Sequence, residues 1–546
     1  MQLEKHFTIL IYPFRHNITP SNRRLRLQRL NGRWKPWWQR FEDNKAFADA
    51  LDDTRFFLPY VRGLLFPETA KLHEADADWQ LEKARALAHE PLEELAQGLL
   101  EDGVLRFTYD PLQLQSLQPL RLEFERDNFS APFQLHWIDV ALFPQSVGFL
   151  VLKVELDEIA PSTNRVIDFL YYLRLIHPPK TDWALANWRC TSIERPLVFK
   201  SRDLVDYLLQ GLTSGSSHLE ATLAVFLTRV RHGDPVWRYS TTELGQVYGS
   251  VFRKFSYACL AEARDNPDQS SSSQYSEDSV QAVAHTSKSA GHEQLFNSYQ
   301  EQVLYELATV TQITEPNYEP HPHSVKQLME NGHIALWANW QGLALHDNVI
   351  FLGIKPTRFV LEVLAQNVES DYFHLFLITL YQKVRLSWMS GDAMQRGADL
   401  HRNLAEARAQ WDAFTAFRNH YWFAEVTAKP QGIELYKRFH KGMMIQTLYQ
   451  CISDEMIQLQ EYYERKTQRR TDVILFFLAA IGLPASLLAE FFGSALIKDS
   501  TWDQFGWTAL IVFGVFFIVG FIWWQTARDI LRPVVERVRR LFERDR

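Results

Sequence analysis

Two apolar runs near the C-terminus, residues 473–497 and 507–524, constrain this chain of 546 residues more than any other feature. A polar stretch, 498–506, joins them. A helix rises about 1.5 Å per residue, so about 20 residues cross a hydrocarbon core about 30 Å thick. Residues 473–489 carry no charge, the run continues to 497 if Glu490 is accommodated, and 507–524 carry none at all. The pattern predicts a C-terminal transmembrane hairpin behind a long water-soluble body. Basic residues flank it on both sides: Arg465, Lys466, Arg469 and Arg470 before, and Arg528, Arg532, Arg537, Arg539 and Arg540 after. The loop between holds only Lys498, against Asp499 and Asp503. The positive-inside rule then puts both flanks, the N-terminus and the basic tail 525–546 in the cytoplasm.

The first run has a stripe. Asp472, Leu475, Ala479, Leu483, Ser486, Glu490 and Gly493 recur every three or four residues, which places them along one side of a helix. A carboxylate at Glu490 is costly in a membrane unless it faces water or a partner. A stripe of small, polar and acidic side chains is what a helix presents to a pore or a neighbouring helix. Two spans cannot enclose a pore alone, so the reading predicts a homo-oligomer with Asp472, Leu475, Ala479, Leu483, Ser486 and Glu490 lining the path.

The end of that run, Pro484-Ala485-Ser486-Leu487-Leu488-Ala489-Glu490-Phe491-Phe492-Gly493, resembles the CorA family of metal-ion transporters. There a proline, aliphatic residues, an alanine and an aromatic lead to the glycine of an outer-loop Gly-Met-Asn. Here Gly493 is followed by Ser494 and Ala495 instead. The resemblance implies a pentamer, a stalk helix running into the first span, and an inner (plasma) membrane location in a bacterium, among membrane lipid. It also implies Mg²⁺ as the divalent cation handled, although Ala495 cannot make the polar contact to hydrated Mg²⁺ that an asparagine makes.

The body reads as mixed α+β. Residues 6–14, 104–109, 120–125, 135–142 and 148–156 alternate or run apolar between turn residues, which predicts strands. Helices are expected at 164–176 and 204–212, with further strands at 334–340 and 348–352 around a turn at Leu345-His346-Asp347. The expected organisation is an enlarged sensor domain over 1–371, with a flexible Ser-rich insertion at 266–294, and a helical funnel and stalk over 372–470. The funnel helices fall at 372–390 and 393–422, and the stalk at 431–470. The aromatics Phe414, Phe417, Tyr421, Trp422 and Phe423 read as helix packing.

Net charge is −7, so the chain has no global basic field and direct DNA binding is not expected. Cys190, Cys259 and Cys451 lie too far apart for a metal or redox motif. No phosphate-cradling Gly-x4-Gly-Lys-Ser/Thr, His-Glu-x-x-His or Gly-x-Ser-x-Gly occurs, so no enzyme is expected. Arg55 and Arg62, among the aromatics of 52–62, and Arg238 within Trp237-Arg238-Tyr239 combine guanidinium and ring in a way suited to bases and phosphates. An outsized body and a changed loop are similar to the CorA-like proteins found beside type III CRISPR systems. That resemblance implies an ion channel opened by a nucleotide second messenger, either a cyclic oligoadenylate or an S-adenosylmethionine–AMP conjugate. A divalent-cation transporter with an altered loop and a non-conducting, membrane-anchored scaffold are the alternatives.

Overall fold

The computed structural model describes residues 1–16, 34–37, 50, 52–67, 103–115, 117–176, 185–190, 197–213, 223–232, 251–261, 295–313, 320–400, 404–495 and 514. The candidate Arg238, the Ser-rich stretch 266–294, the loop 498–506 and the tail 525–546 lie outside these residues, as does 507–524 apart from Gly514.

Strand β1, Leu3–Arg15, organises the body because it is apolar on both faces. Such a strand can only sit inside a sheet covered on two sides. It lies near the middle of a sheet that has 12 strands among the described residues. In chain order the other strands are β2 (Trp34–Pro36), β3 (Leu105–Tyr109), β4 (Leu120–Phe124), β5 (Phe129–Phe143) and β6 (Val147–Leu156). They continue with β7 (Asn187–Cys190), β8 (Leu197–Lys200), β9 (Arg253–Leu260), β10 (His333–Trp337), β11 (Trp340–Leu345) and β12 (Asn348–Gly353). The order across the sheet is β10-β11-β12-β9-β1-β6-β5-β4-β7-β8, with β3 on β5 and β2 on β3. The pairing of β12 with β9 is parallel; β1 is antiparallel to both its neighbours.

The long strand β5 serves two partners on one edge. Phe129–Phe133 pair with β4 and Asp139–Leu142 with β3, and an irregularity between Leu135 and Trp137 separates the two stretches. A bulge bends a strand and raises its local twist, which lets one strand leave one neighbour for another.

Helices cover both faces. On one, Leu10, Tyr12 and Phe14 of β1 pack with Val166, Phe169 and Leu170 of α3 and with Val303, Leu304 and Leu307 of α6. Helices α1 (Pro59–Leu65), α2 (Pro111–Gln115), α3 (Thr163–Leu173), α4 (Ser201–Thr213), α5 (Leu223–His232), α6 (Tyr299–Thr309) and α7 (Pro322–Gly332) precede β10. Lys254 of β9 is wholly buried and donates to the carbonyls of Leu307 and Ala308, so a strand lysine satisfies the open C-terminal end of α6. On the other face, Phe255 of β9 stacks with Phe376 at 5.1 Å and meets Phe373 at 5.7 Å.

Those two phenylalanines belong to α8 (Phe373–Leu400), which follows two π-helical turns at Phe359–Leu364 and Val368–Tyr372. Helices α9 (Leu404–Tyr421), α10 (Pro430–Gly442) and α11 (Ile445–Ala495) complete the chain as described. Two compact units result: Met1–Asp399 with Asp412–Asp454, and Leu400–Trp411 with Glu455–Arg546.

The first expected span is the distal part of α11, a single 51-residue helix. Its apolar residues from Val473 on follow without a break on Arg465, Lys466, Arg469, Arg470 and Asp472. Among the described residues no helix is long and apolar enough to cross a membrane. That finding overturns the expected fold of a body carrying two C-terminal transmembrane helices. It equally overturns the expected multi-pass inner-membrane location. What stands is a large mixed sheet with helices on both faces.

Candidate functional site

Helices α10 and α11 are separated by a break, not the uninterrupted stalk expected over 431–470. Gly442 ends α10 against the sheet: a Cβ there would collide with the carbonyl of Ala344 in β11. Gly332 at the end of α7 lies against the same carbonyl. Met443 is buried, and Met444 follows with φ 56° and its side chain half exposed. A non-glycine residue in this left-handed region is uncommon and marks a chain held there by its surroundings.

A cleft of about 510 Å³ opens beside the break. It falls within the roughly 300–1,000 Å³ usual for small-molecule sites. Trp422, Phe423, Tyr436 and His440 supply its aromatic lining, and Lys437 and Lys441 its charge; among the described residues no carboxylate lines it. Gln446 and Thr447, in the first turn of α11, border it too. The N–H groups that open a helix have no acceptor inside it and favour anions.

The aromatic wall is closely packed. Trp422 stacks on Tyr449 with ring centroids 3.9 Å apart and planes 13° from parallel. The His440 ring lies 5.4 Å from Trp422 and 4.3 Å from Tyr436. Beneath them Gln382 of α8, fully buried, ties the parts together. Its Nε2 donates to the Tyr421 carbonyl at 2.7 Å and to Tyr436 Oη at 2.9 Å. Its Oε1 lies 2.8 Å from His440 Nε2. Burial pushes the His440 imidazole down to about 4, so the ring is neutral near pH 7. Burial also raises the Tyr436 phenol.

The expected site residues are placed as follows. Arg55 pairs with Asp52 at 2.7 Å on an exposed turn, and Arg62 lies in α1; neither lines the cleft. Their segment is nonetheless its neighbour, because Tyr60 donates to the Glu425 carbonyl and its ring lies 5.9 Å from Phe423. Asp472, Leu475, Ala479 and Ser486 are exposed positions on α11. The side chains of Leu483 and Glu490 lie outside the described residues. Gly493, Ser494 and Ala495, expected in an outer loop, form the end of α11. Among the described residues no group of three or more His, Cys, Asp or Glu side chains gathers to hold a metal ion such as Mg²⁺. The aromatic patch divides: Phe414, Phe417 and Tyr421 are buried packing, whereas Trp422 and Phe423 are half-buried and line the cleft.

The chain was compared with family models, curated proteins and solved structures, and none matches.

Proposed function

We propose that this chain is a sensor of a nucleotide-type ligand, bound in the cleft at the α10–α11 break. The observation that carries the reading is the meeting of rings and cationic groups in one concave site. A flat aromatic wall suits a base, and base–aromatic stacking is worth roughly 1–3 kcal/mol. Lys437, Lys441 and the opening turn of α11 suit a phosphate. The cleft touches the first turn of a 51-residue helix, so a ligand that tightens the break acts on the longest of the described elements. In this proposal α11 carries the response, through self-association of a homo-oligomer. Ion conduction, the activity attached to the CorA resemblance, required two membrane spans, and the sensor reading rests on the body instead.

Cyclic oligoadenylates, an S-adenosylmethionine–AMP conjugate and the linear dinucleotide pApA are the probes. Titration calorimetry on the full chain should give saturable binding of an adenine nucleotide. Sedimentation velocity should register a change in self-association when it binds. A folded protein that binds none of these ligands contradicts the proposal.

A further inference from the structure

Resting on that reading of the cleft, we propose that His440 Nδ1 is a fixed hydrogen-bond acceptor that selects ligands whose base carries an exocyclic amino donor, a 6-aminopurine over a 6-oxopurine.

The Tyr421 carbonyl fixes the orientation of the Gln382 amide. A carbonyl oxygen only accepts, so the Gln382 atom 2.7 Å from it must be the amide nitrogen. That settles which way the buried amide points, a choice that only the hydrogen-bond network can make. Gln382 Oε1 therefore faces His440 Nε2 at 2.8 Å. An amide oxygen cannot donate, so His440 Nε2 carries the proton.

A neutral imidazole with its proton on Nε2 has a lone pair on Nδ1. Nδ1 has no protein partner among the described residues, and it is not one of the buried polar atoms sealed from solvent. It belongs to a ring that lines the cleft. Burial of the imidazole opposes protonation, so Nδ1 stays an acceptor across the physiological range. Trp422, 5.4 Å from His440, offers the neighbouring stacking wall.

A base lying along Trp422 meets Nδ1 with its edge. An exocyclic amino group completes the bond. A carbonyl oxygen at the same position brings two lone pairs face to face, and a dimethylated amine brings bulk and no proton. Sites built to pair with a polar group reject analogues that lack it far better than apolar pockets do.

The test compares pApA with its inosine counterpart and its N6,N6-dimethyladenosine counterpart, by titration calorimetry on the full unmodified chain. pApA should bind tighter than either analogue by on the order of 30-fold, the worth of one buried hydrogen bond left unmade. In His440→Phe, which keeps a ring but removes the acceptor, the difference should shrink to about threefold or less. Equal binding of all three by the unmodified protein overturns the acceptor role while leaving the cleft a ligand site. Undiminished discrimination in a folded His440→Phe overturns it as well. If none of the three binds, the ligand reading of the cleft fails, and this inference fails with it.

Discussion

Gln382 and His440, 58 residues apart in the chain, meet at 2.8 Å beneath the cleft, with the Gln382 side chain fully buried. The amide also holds the Tyr421 carbonyl and the Tyr436 hydroxyl, so one residue of α8 fixes the end of α9 and one wall-forming side of α10. Replacing it by leucine keeps the volume and removes every one of these bonds. A buried group left without its partner costs about 1–3 kcal/mol. Gln382→Leu should lower stability by about 2–4 kcal/mol, read as a lower urea midpoint at unchanged slope.

His440 also sets a pH dependence. In the folded chain its imidazole protonates near 4, against 6.5 when unfolded. Between those values the unfolded state binds more protons, so stability is full above about pH 6.5 and is lost as pH falls toward 4. The limit for this depression is about 3 kcal/mol. Burial lowers His6 and His16 in the same sense. Between pH 7 and pH 5 the unmodified chain should lose more stability, or gain less, than His440→Phe, read as a change in the difference between their urea midpoints.

Asp371 works in the opposite direction. Burial, with Asp53 and Asp52 adding like charge against the relief of Lys429, raises its carboxyl from 3.8 to about 7. Its Oδ1 finds no hydrogen-bond partner among the described residues. Here the folded state binds the extra proton, so stability from this group is present below about pH 4 and is lost as pH rises toward 7 and beyond. Asp371→Asn should therefore stabilise the protein by about 2–4 kcal/mol at pH 8, with the gain vanishing near pH 4. Thermal melts of the two proteins at both pH values check it.

The break between α10 and α11 depends on close approach. Gly442→Ala should drive a methyl into the Ala344 carbonyl and cost about 1–3 kcal/mol, as overpacking does. Met444→Gly should do the reverse. Relief of a left-handed non-glycine residue is worth about 1 kcal/mol, partly offset by the freedom glycine gains on unfolding.

Much of the sheet was legible in the sequence. The strands expected at 6–14, 104–109, 120–125, 135–142 and 148–156 correspond to β1, β3, β4, β5 and β6, because apolar alternation bounded by turn residues is a local signal. The helices at 164–176 and 204–212 overlap α3 and α4 for the same reason. The stretch 334–340 hid a hairpin. Its apolar run reads as one strand, yet the chain turns at Ala338-Asn339 and pairs Trp337 with Trp340. The short β7 owes its place to nonlocal pairing with β4, which no local pattern encodes, and β8 in turn pairs with β7.

The C-terminal runs misled the reading because hydropathy alone does not fix what a helix does. The apolar residues from Val473 continue a charged helical segment, and no described helix meets the length and apolarity of a membrane span. The cleft was invisible from local sequence: its lining comes from α7, α10, α11 and the segment after α9. One signal was available. Gly442 followed by two methionines interrupts the helical pattern where the cleft opens, and Trp422 and Phe423 stood out among the aromatics without a reason to separate them from core.

The central claim is that this cleft binds a nucleotide through its aromatic wall and lysines. Titration calorimetry of pApA into the full chain, beside Trp422→Ala and Lys441→Ala, tests it most directly. Binding should be saturable and weakened at least about tenfold by each substitution, as loss of a stacked base or a charged phosphate contact requires. Folded variants that bind pApA as tightly as the unmodified chain, or an unmodified chain that does not bind it, would contradict the account.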